Sequence, residues 1–176
     1  MHHAFAPLVC GKPNILILGT FPSPASREKG EYYGNPQNKF WNIVFDVFSP
    51  PGAEFCLFGY DEKKKFLFAN HIALWDVITQ CDIVGSSDSA IKNPAYNAAL
   101  PEFIRRNGIS RIAFNGRKAH ELYRKGIGAI DGIVLPSTSP ANARLRYCDK
   151  LSAWADGIGP NAHRNKCSEL MFDKKD

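Results

Sequence analysis

The sequence has few cysteines, and none of them are paired. Its five cysteines (Cys10, Cys56, Cys81, Cys148 and Cys167) are scattered, and no two form a CxxC pair. Such a distribution predicts neither a zinc site nor an iron–sulfur cluster, so we expect no metal and no cofactor. We interpret the cysteines as incidental thiols of a reducing compartment.

Long hydrophobic runs are also missing. The apolar run at residues 15–18 is far too short to span a membrane. The first residues, MHHAFAPLVCGKPN, lack the cationic region and apolar core of a signal peptide. We therefore expect a cytoplasmic protein that does not contact a membrane. We also expect it to act as a monomer.

The motifs of several hydrolase and phosphatase classes are absent. The chain contains no GxSxG elbow, no Walker A loop and no HExxH zinc motif. An α/β hydrolase or phosphatase is therefore a disfavoured alternative.

What is present is the composition of an ordinary globular protein. The 176 residues are 44% hydrophobic and 22% charged, which fits a single domain over residues 1–176, with 161–176 as a C-terminal extension. The net charge of +5 suits a polyanionic partner but raises the expectation of nucleic-acid binding only modestly. A non-catalytic nucleic-acid-binding module thus stays an alternative.

Strand and helix patterns alternate along the chain. Short apolar runs predict strands at 14–19, 72–78, 111–115 and 132–135, and helical spacing predicts helices at 38–48, 96–106, 117–125 and 149–155, with loops at 85–94 and 136–144. This order predicts an α/β fold, a three-layer α/β/α domain with a short, mainly parallel four-stranded central sheet. Ligands of such sheets bind at the carboxyl ends of the strands.

Three loops follow those strand ends. The first, residues 19–41, is long and carries Asn38, which could act in the site or only cap the next helix. The third strand ends in Asn115, whose amide could read a base edge or cap the following helix. The last loop, LPSTSPANARLR, offers hydroxyl and backbone donors for phosphates, or is an ordinary Ser/Pro loop.

The motifs on these loops occur in a familiar order. GTFPSP, YYGNPQNKFW, GSSDSAIKNP, FNGRKA and LPSTSPANAR together resemble the uracil-DNA glycosylase superfamily, and most closely its hypoxanthine (deoxyinosine) branch. The resemblance covers residues 15–154, most of the chain. It implies a monofunctional DNA glycosylase of base excision repair that flips a deaminated base out of DNA, with uracil or mismatch-specific excision as the alternative.

The resemblance also implies roles for individual residues. Phe21 and Leu135 occupy positions where uracil-specific relatives have polar residues, so hypoxanthine is expected to be preferred. Asn38 matches the catalytic Asn of the hypoxanthine branch, Tyr33 the aromatic ring against the flipped base, and Asn115 the side chain that reads the base edge. The resemblance thus implies Asn38 and Asn115 as catalytic residues, and it implies base-binding roles for Phe21, Tyr33, Asn115 and Leu135.

The same comparison implies the DNA contacts. Ser137 and Ser139 match phosphate-binding serines, and residues 140–145 match the segment that fills the vacated base stack. On this loop we predict Asn142 and Arg144 as further DNA-binding residues. Asp88, in the GSSDS segment, is a reserve candidate for a general base, with an Asx-turn or helix cap as its alternative.

Overall fold

The computed structural model describes residues 2–56, 59–83 and 91–160, with the side chain of Ile83 left out. Its elements are the strands β1 (His2–His3), β2 (Ile15–Gly19), β3 (Ile72–Asp76), β4 (Ile78–Ile83), β5 (Ile91–Tyr96), β6 (Arg111–Asn115) and β7 (Ile133–Leu135), and the helices α1 (Pro24–Lys29), α2 (Phe40–Phe48), α3 (Tyr60–Ala69), α4 (Leu100–Asn107), α5 (Arg117–Gly126) and α6 (Tyr147–Ile158).

Four strands form the central sheet in the order β3-β2-β6-β7, and every pair in it is parallel. All five residues of β2 are buried, because this strand is central and both of its faces are covered. The parallel register places Gly19 beside Asp76 and Asn115 beside Leu135. The carboxyl ends of all four strands therefore meet at one edge of the sheet.

Two separate cores cover the two faces of this sheet. On one face Ile15 and Ile17 pack with residues of α2, α3 and α6, among them the fully buried Phe40 and Trp154. On the other face Leu16 and Leu18 pack with residues of α4, α5 and β4. The predicted three-layer α/β/α fold with a four-stranded parallel sheet is thus confirmed.

A second, three-stranded sheet was not expected from the sequence. It has the order β1-β4-β5, is antiparallel, and contains register shifts along the β4–β5 pair. The predicted strand at 72–78 is in fact two strands, because the chain turns at Val77 and Ile78 begins β4. The loop predicted at 85–94 was wrong for residues 91–94, which belong to β5; residues 85–90 lie outside the described residues.

Several helix boundaries also differ from the prediction. The helix expected from residue 96 begins only at Leu100, because residues up to Tyr96 pair in β5 and Pro101 suits the first turn of a helix. Two helices, α1 and α3, were missed. The first lies inside the long first loop, where the Ser23 hydroxyl accepts a hydrogen bond from the Ser26 backbone N–H and caps it.

Candidate functional site

The last residue of β6 is bound to the loop that follows β7. The Asn115 Nδ2 donates to the Thr138 Oγ1 at 2.9 Å, and the Thr138 backbone N–H donates to the Asn115 Oδ1 at 2.9 Å. Thr138 is completely buried. One donor and one acceptor of the Asn115 amide are thereby occupied, which leaves one N–H and one lone pair for a ligand. That Asn115 reads a base edge stays a prediction.

Thr138 also connects this loop to the first one. Its carbonyl accepts a hydrogen bond from the Lys39 backbone N–H at 3.1 Å. Asn38 precedes Lys39 directly, so both predicted catalytic amides are connected to Thr138, Asn115 by its own side chain and Asn38 through the next residue of the chain. The fold therefore brings together residues that are far apart in the sequence.

Asn38 is half-buried at the start of α2. Its Oδ1 accepts a hydrogen bond from the Phe40 backbone N–H at 3.0 Å, which stabilises the entry into the helix. The N-cap residue of α2 is Lys39, which has no side-chain cap bond, so the Asn38 oxygen forms a turn just before the helix and does not cap it. The Asn38 amide donors have no acceptor among the described residues.

Tyr33 has an unusual backbone conformation. Its φ is 54°, a left-handed value that is costly for a residue with a bulky side chain. Its ring stacks on Phe40 with the centroids 3.8 Å apart and the planes at 15°. A β-carbon built on Gly19 would lie 3.2 Å from the Tyr33 hydroxyl, so this hydroxyl reaches the end of β2. The aromatic ring is therefore fixed beside the strand ends.

Asp76 is a residue of this region that the sequence reasoning missed. It is the last residue of β3, is only 4% exposed, and its Oδ1 would lie 2.5 Å from a β-carbon on Gly19. Burial raises the pKa of the neighbouring Tyr32 far above its usual value, and the charge of Asp76 raises it further. The sequence did contain a sign of this residue, because Asp76 lies within the apolar run IALWDVI. A carboxylate in such a run is expected to be buried, and buried carboxylates are rare.

The two apolar positions of the predicted site lie at different places. Phe21 is 9% exposed and packs in the core formed with α4, α5 and β4, with the Arg27 guanidinium 5.6 Å from its ring centroid. Leu135 ends β7 beside Asn115 and is almost completely buried. Leu135 is thus the direct neighbour of Asn115, whereas Phe21 belongs to the core on one face of the sheet.

A cavity of about 490 Å³ opens at the ends of β6 and β7. Its lining comprises Gly116, Arg117, Val134, Leu135, Pro136, Ser137, Asn142 and Leu145. Three of these residues, Leu135, Ser137 and Asn142, were predicted for the site from the sequence. The cavity has room for a base-sized ligand, and Arg117 provides a basic side chain at its wall.

The loop after β7 holds its own shape through side-chain hydrogen bonds. The Ser137 Oγ accepts from the Ser139 N–H at 3.3 Å, and the Ser139 Oγ accepts from the Ala141 N–H at 3.3 Å. The Asn142 Nδ2 donates to the Ser137 carbonyl at 3.1 Å. Both hydroxyl protons can still be donated outward, as a phosphate-binding loop requires. Arg144 is exposed on the same loop.

Asp88 lies outside the described residues. Within residues 2–56, 59–83 and 91–160, no three His, Cys, Asp or Glu side chains are grouped so that they could bind a metal ion. The helices of this part of the chain are all too short or too polar to cross a membrane.

Comparisons with known proteins agree with this geometry. The model of the uracil DNA glycosylase superfamily matches residues 6–156. A hypoxanthine DNA glycosylase of Methanosarcina acetivorans is 41% identical over 135 residues, which are 74% of this chain and 82% of that protein. A hypoxanthine DNA glycosylase of Methanosarcina barkeri is 31% identical over 156 residues, 88% of this chain and 96% of the relative.

A solved structure supports the same assignment. The solution NMR structure of a candidate uracil DNA glycosylase from Methanosarcina acetivorans is similar with a TM-score of 0.69 and 36% identity. The match covers 88% of this chain and 94% of the other. The family model spans the strand-end loops described above. The chain belongs to the uracil DNA glycosylase superfamily.

Proposed function

We propose that this protein is a monofunctional DNA glycosylase that releases hypoxanthine from deoxyinosine in DNA, in base excision repair. The observation that carries the proposal is the match, over most of this chain, to two proteins named hypoxanthine DNA glycosylase. The geometry supports it, because Asn38, Asn115 and the loop after β7 come together at one sheet edge through Thr138.

The reaction is a hydrolysis and needs no redox partner. The bond between C1′ of the sugar and N9 of hypoxanthine breaks, and its electron pair leaves with the base. Water adds to C1′, and its proton ends on the released base. The transition state has a positive sugar and a negatively charged base, so donors aimed at the base and a well-placed water supply most of the catalysis.

Asn38 is suited to this task by its free amide donors. A neutral amide does not accept a proton near neutral pH, so Asn38 acts by holding the water or by donating to the departing base. Its Oδ1 is held by the Phe40 N–H, which fixes the direction in which Nδ2 points. Tyr33, held by stacking on Phe40, offers a flat surface for the flipped base.

The preference for hypoxanthine over uracil follows from the apolar positions. Phe21 and Leu135 supply no hydrogen-bonding side chain where uracil-specific relatives have polar residues. The base is held instead by shape, stacking and the remaining groups of Asn115. Ser137, Ser139, Asn142 and Arg144 bind the DNA backbone around the extruded nucleotide. We further propose that the protein acts as a monomer in the cytoplasm, without contact to a membrane.

One panel of oligonucleotides tests the function. Labelled strands, each with a single hypoxanthine, uracil, xanthine or G·T mismatch, are incubated with the protein under single-turnover conditions and then treated with hot alkali. We expect cleavage at hypoxanthine at a higher rate than at uracil. Equal or faster release of uracil would contradict the substrate, and binding to every duplex without any release would favour a non-catalytic module.

A second measurement tests the hydrolytic mechanism. If water is the nucleophile, borohydride should trap no covalent adduct between protein and DNA, and activity should survive a chelator. A trapped adduct would instead indicate that an amine of the protein attacks the sugar.

A further inference from the structure

A buried lysine lies directly beneath the loop that follows β7. Lys150 belongs to the first turns of α6 and is 5% exposed, and within the described residues no other lysine or arginine is buried. Its Nζ donates to the Asn142 carbonyl at 2.7 Å. Asn142 in turn binds the Ser137 carbonyl and lines the cavity.

Within the part of the chain that the structure describes, no acid balances the charge of this ammonium. Of its three N–H donors one is used, and among the described residues no carboxylate lies within ion-pair distance of it. Burial lowers the pKa of Lys150, as expected for a cation that has lost its water without gaining a counter-charge. Such a group is costly to the folded protein unless an anion compensates it.

The surroundings indicate which anion this is. The turn above Lys150 carries the hydroxyls of Ser137 and Ser139, whose protons can be donated outward, and Arg117 borders the same cavity. Hydroxyl donors combined with cationic side chains suit a phosphodiester, which needs several donors and a positive charge.

We propose that Lys150 is the buried cation of the DNA-binding loop, which positions Asn142 and attracts a backbone phosphate next to the extruded nucleotide. This inference rests on the proposed function. Lys150 is a positioning residue: it acts on the DNA through the turn at residues 137–142 and through its charge. A DNA phosphate then supplies the counter-charge that the described residues do not.

The salt dependence of binding tests this role. Wild type, Lys150→Met, Lys150→Arg and the control Lys65→Met, at an exposed lysine of α3, are titrated with a duplex that contains a tetrahydrofuran abasic site, over a series of KCl concentrations. Loss of a phosphate contact reduces the slope of log K against log salt by about 1. We expect this reduction, with at least about tenfold weaker binding at low salt, only in Lys150→Met.

The results separate the two proposals. If wild type releases hypoxanthine and Lys150→Met keeps the wild-type slope, Lys150 is only a support for the loop and the inference is wrong. If wild type neither binds the duplex nor releases a base, the proposed function itself fails. Neutral methylphosphonates that replace single phosphates around the lesion identify the one that Lys150 attracts. Replacement of that phosphate should weaken DNA binding by wild type and leave binding by Lys150→Met unchanged.

A measurement on the wild-type protein covers the case in which Lys150→Met does not fold. The ¹⁵N signal of the Lys150 Nζ, assigned by its loss in Lys150→Arg, should shift when the abasic duplex is added. An unchanged signal in a protein that binds the duplex would overturn the inference.

Discussion

The amide of Asn115 and the main chain and hydroxyl of Thr138 exchange two hydrogen bonds of 2.9 Å, across the gap between two strand ends. This pair sets the position of the loop after β7 relative to the sheet. Holding the loop is thus one task of Asn115, and we expect contact with a base to be a second, separable one.

The two tasks of Asn115 can be distinguished by substitution. Asn115→Asp keeps both bonds, because the Thr138 hydroxyl and N–H can each donate to a carboxylate oxygen, but it removes the amide donor. We expect a nearly unchanged melting temperature and at least about 10²-fold slower excision, as for the loss of one preorganised donor. Thr138→Val removes one bond of the pair and should mainly lower the melting temperature. Excision in Asn115→Asp at the wild-type rate would restrict Asn115 to holding the loop.

Asn38 is expected to act in the chemical step. Asn38→Ala should lower the single-turnover rate of hypoxanthine release by about 10²–10³-fold, with little change in DNA affinity. It also removes the bond to the Phe40 N–H, worth about 1 kcal/mol of stability.

Asn38→Asp keeps that bond and so tests the loss of the amide donors alone. Asn35→Ala is the matched control, because the Asn35 Oδ1 makes the same kind of turn with the Gln37 N–H at an exposed position. Full activity in a folded Asn38→Ala protein would exclude Asn38.

Gly19 lies at the crowded end of β2, where there is no space for a larger side chain. A methyl group there would lie 2.5 Å from the Asp76 Oδ1 and 3.2 Å from the Tyr33 hydroxyl. Gly19→Ala should therefore displace both side chains, cost about 1–3 kcal/mol in the free energy of unfolding, and slow excision. In an Asp76→Ala background the same change should cost less, which denaturant titration of the four proteins measures as a coupling energy. Equal costs in both backgrounds would mean that Asp76 does not limit the space at Gly19.

Arg144 and Arg146 form a natural pair for testing the DNA contacts. Arg144 is exposed without an ion-pair partner among the described residues, whereas Arg146 binds Asp149 with two hydrogen bonds of 3.0 Å. Arg144→Ala should weaken binding to all duplexes alike and reduce the salt slope by about 1. Arg146→Ala should change the slope less, since its charge is already balanced. A changed base preference in Arg144→Ala would place Arg144 in the base pocket instead.

The buried Tyr32 predicts a loss of stability at alkaline pH. Burial, and then the charge of Asp76, raises its pKa in the folded protein, so the unfolded chain loses this proton first. Above about pH 10 the folded protein therefore binds more protons than the unfolded chain. Its free energy of unfolding must fall as the pH rises through that value. Urea titrations between pH 8 and 11 measure this slope. Tyr32→Phe should flatten it; an identical slope in both proteins would assign the alkaline loss to other groups.

The sequence predicted the central sheet well because three of its strands, β2, β3 and β6, are largely buried. Continuous apolar runs such as the one in β2 have few other interpretations, and their carboxyl ends locate the site. The second sheet was missed because β4 and β5 are partly exposed and pair irregularly, with β5 containing Pro94 and a left-handed Asn93. Neither strand has the regular alternation that marks an antiparallel strand.

The site was predictable at the level of its loops and less so in its contacts. Asn38 and Asn115 could be identified by type and position, but their bonds to Phe40 and Thr138 depend on how the loops pack. Asp76 and Lys150 were not recognised, since a single charged residue in an amphipathic or apolar segment is usually exposed. Only the three-dimensional arrangement shows that both are buried.

The hydrogen bond from Lys39 to Thr138 has a consequence for how the protein folds. It joins the first loop to the last one, two segments separated by most of the chain, so the site requires contacts of high sequence separation that form slowly. A nascent chain still lacking the segment after β7 has Asn38 but not the Thr138 carbonyl that accepts from the Lys39 N–H. We expect no excision by such an incomplete chain, so that activity reports completion of the whole fold.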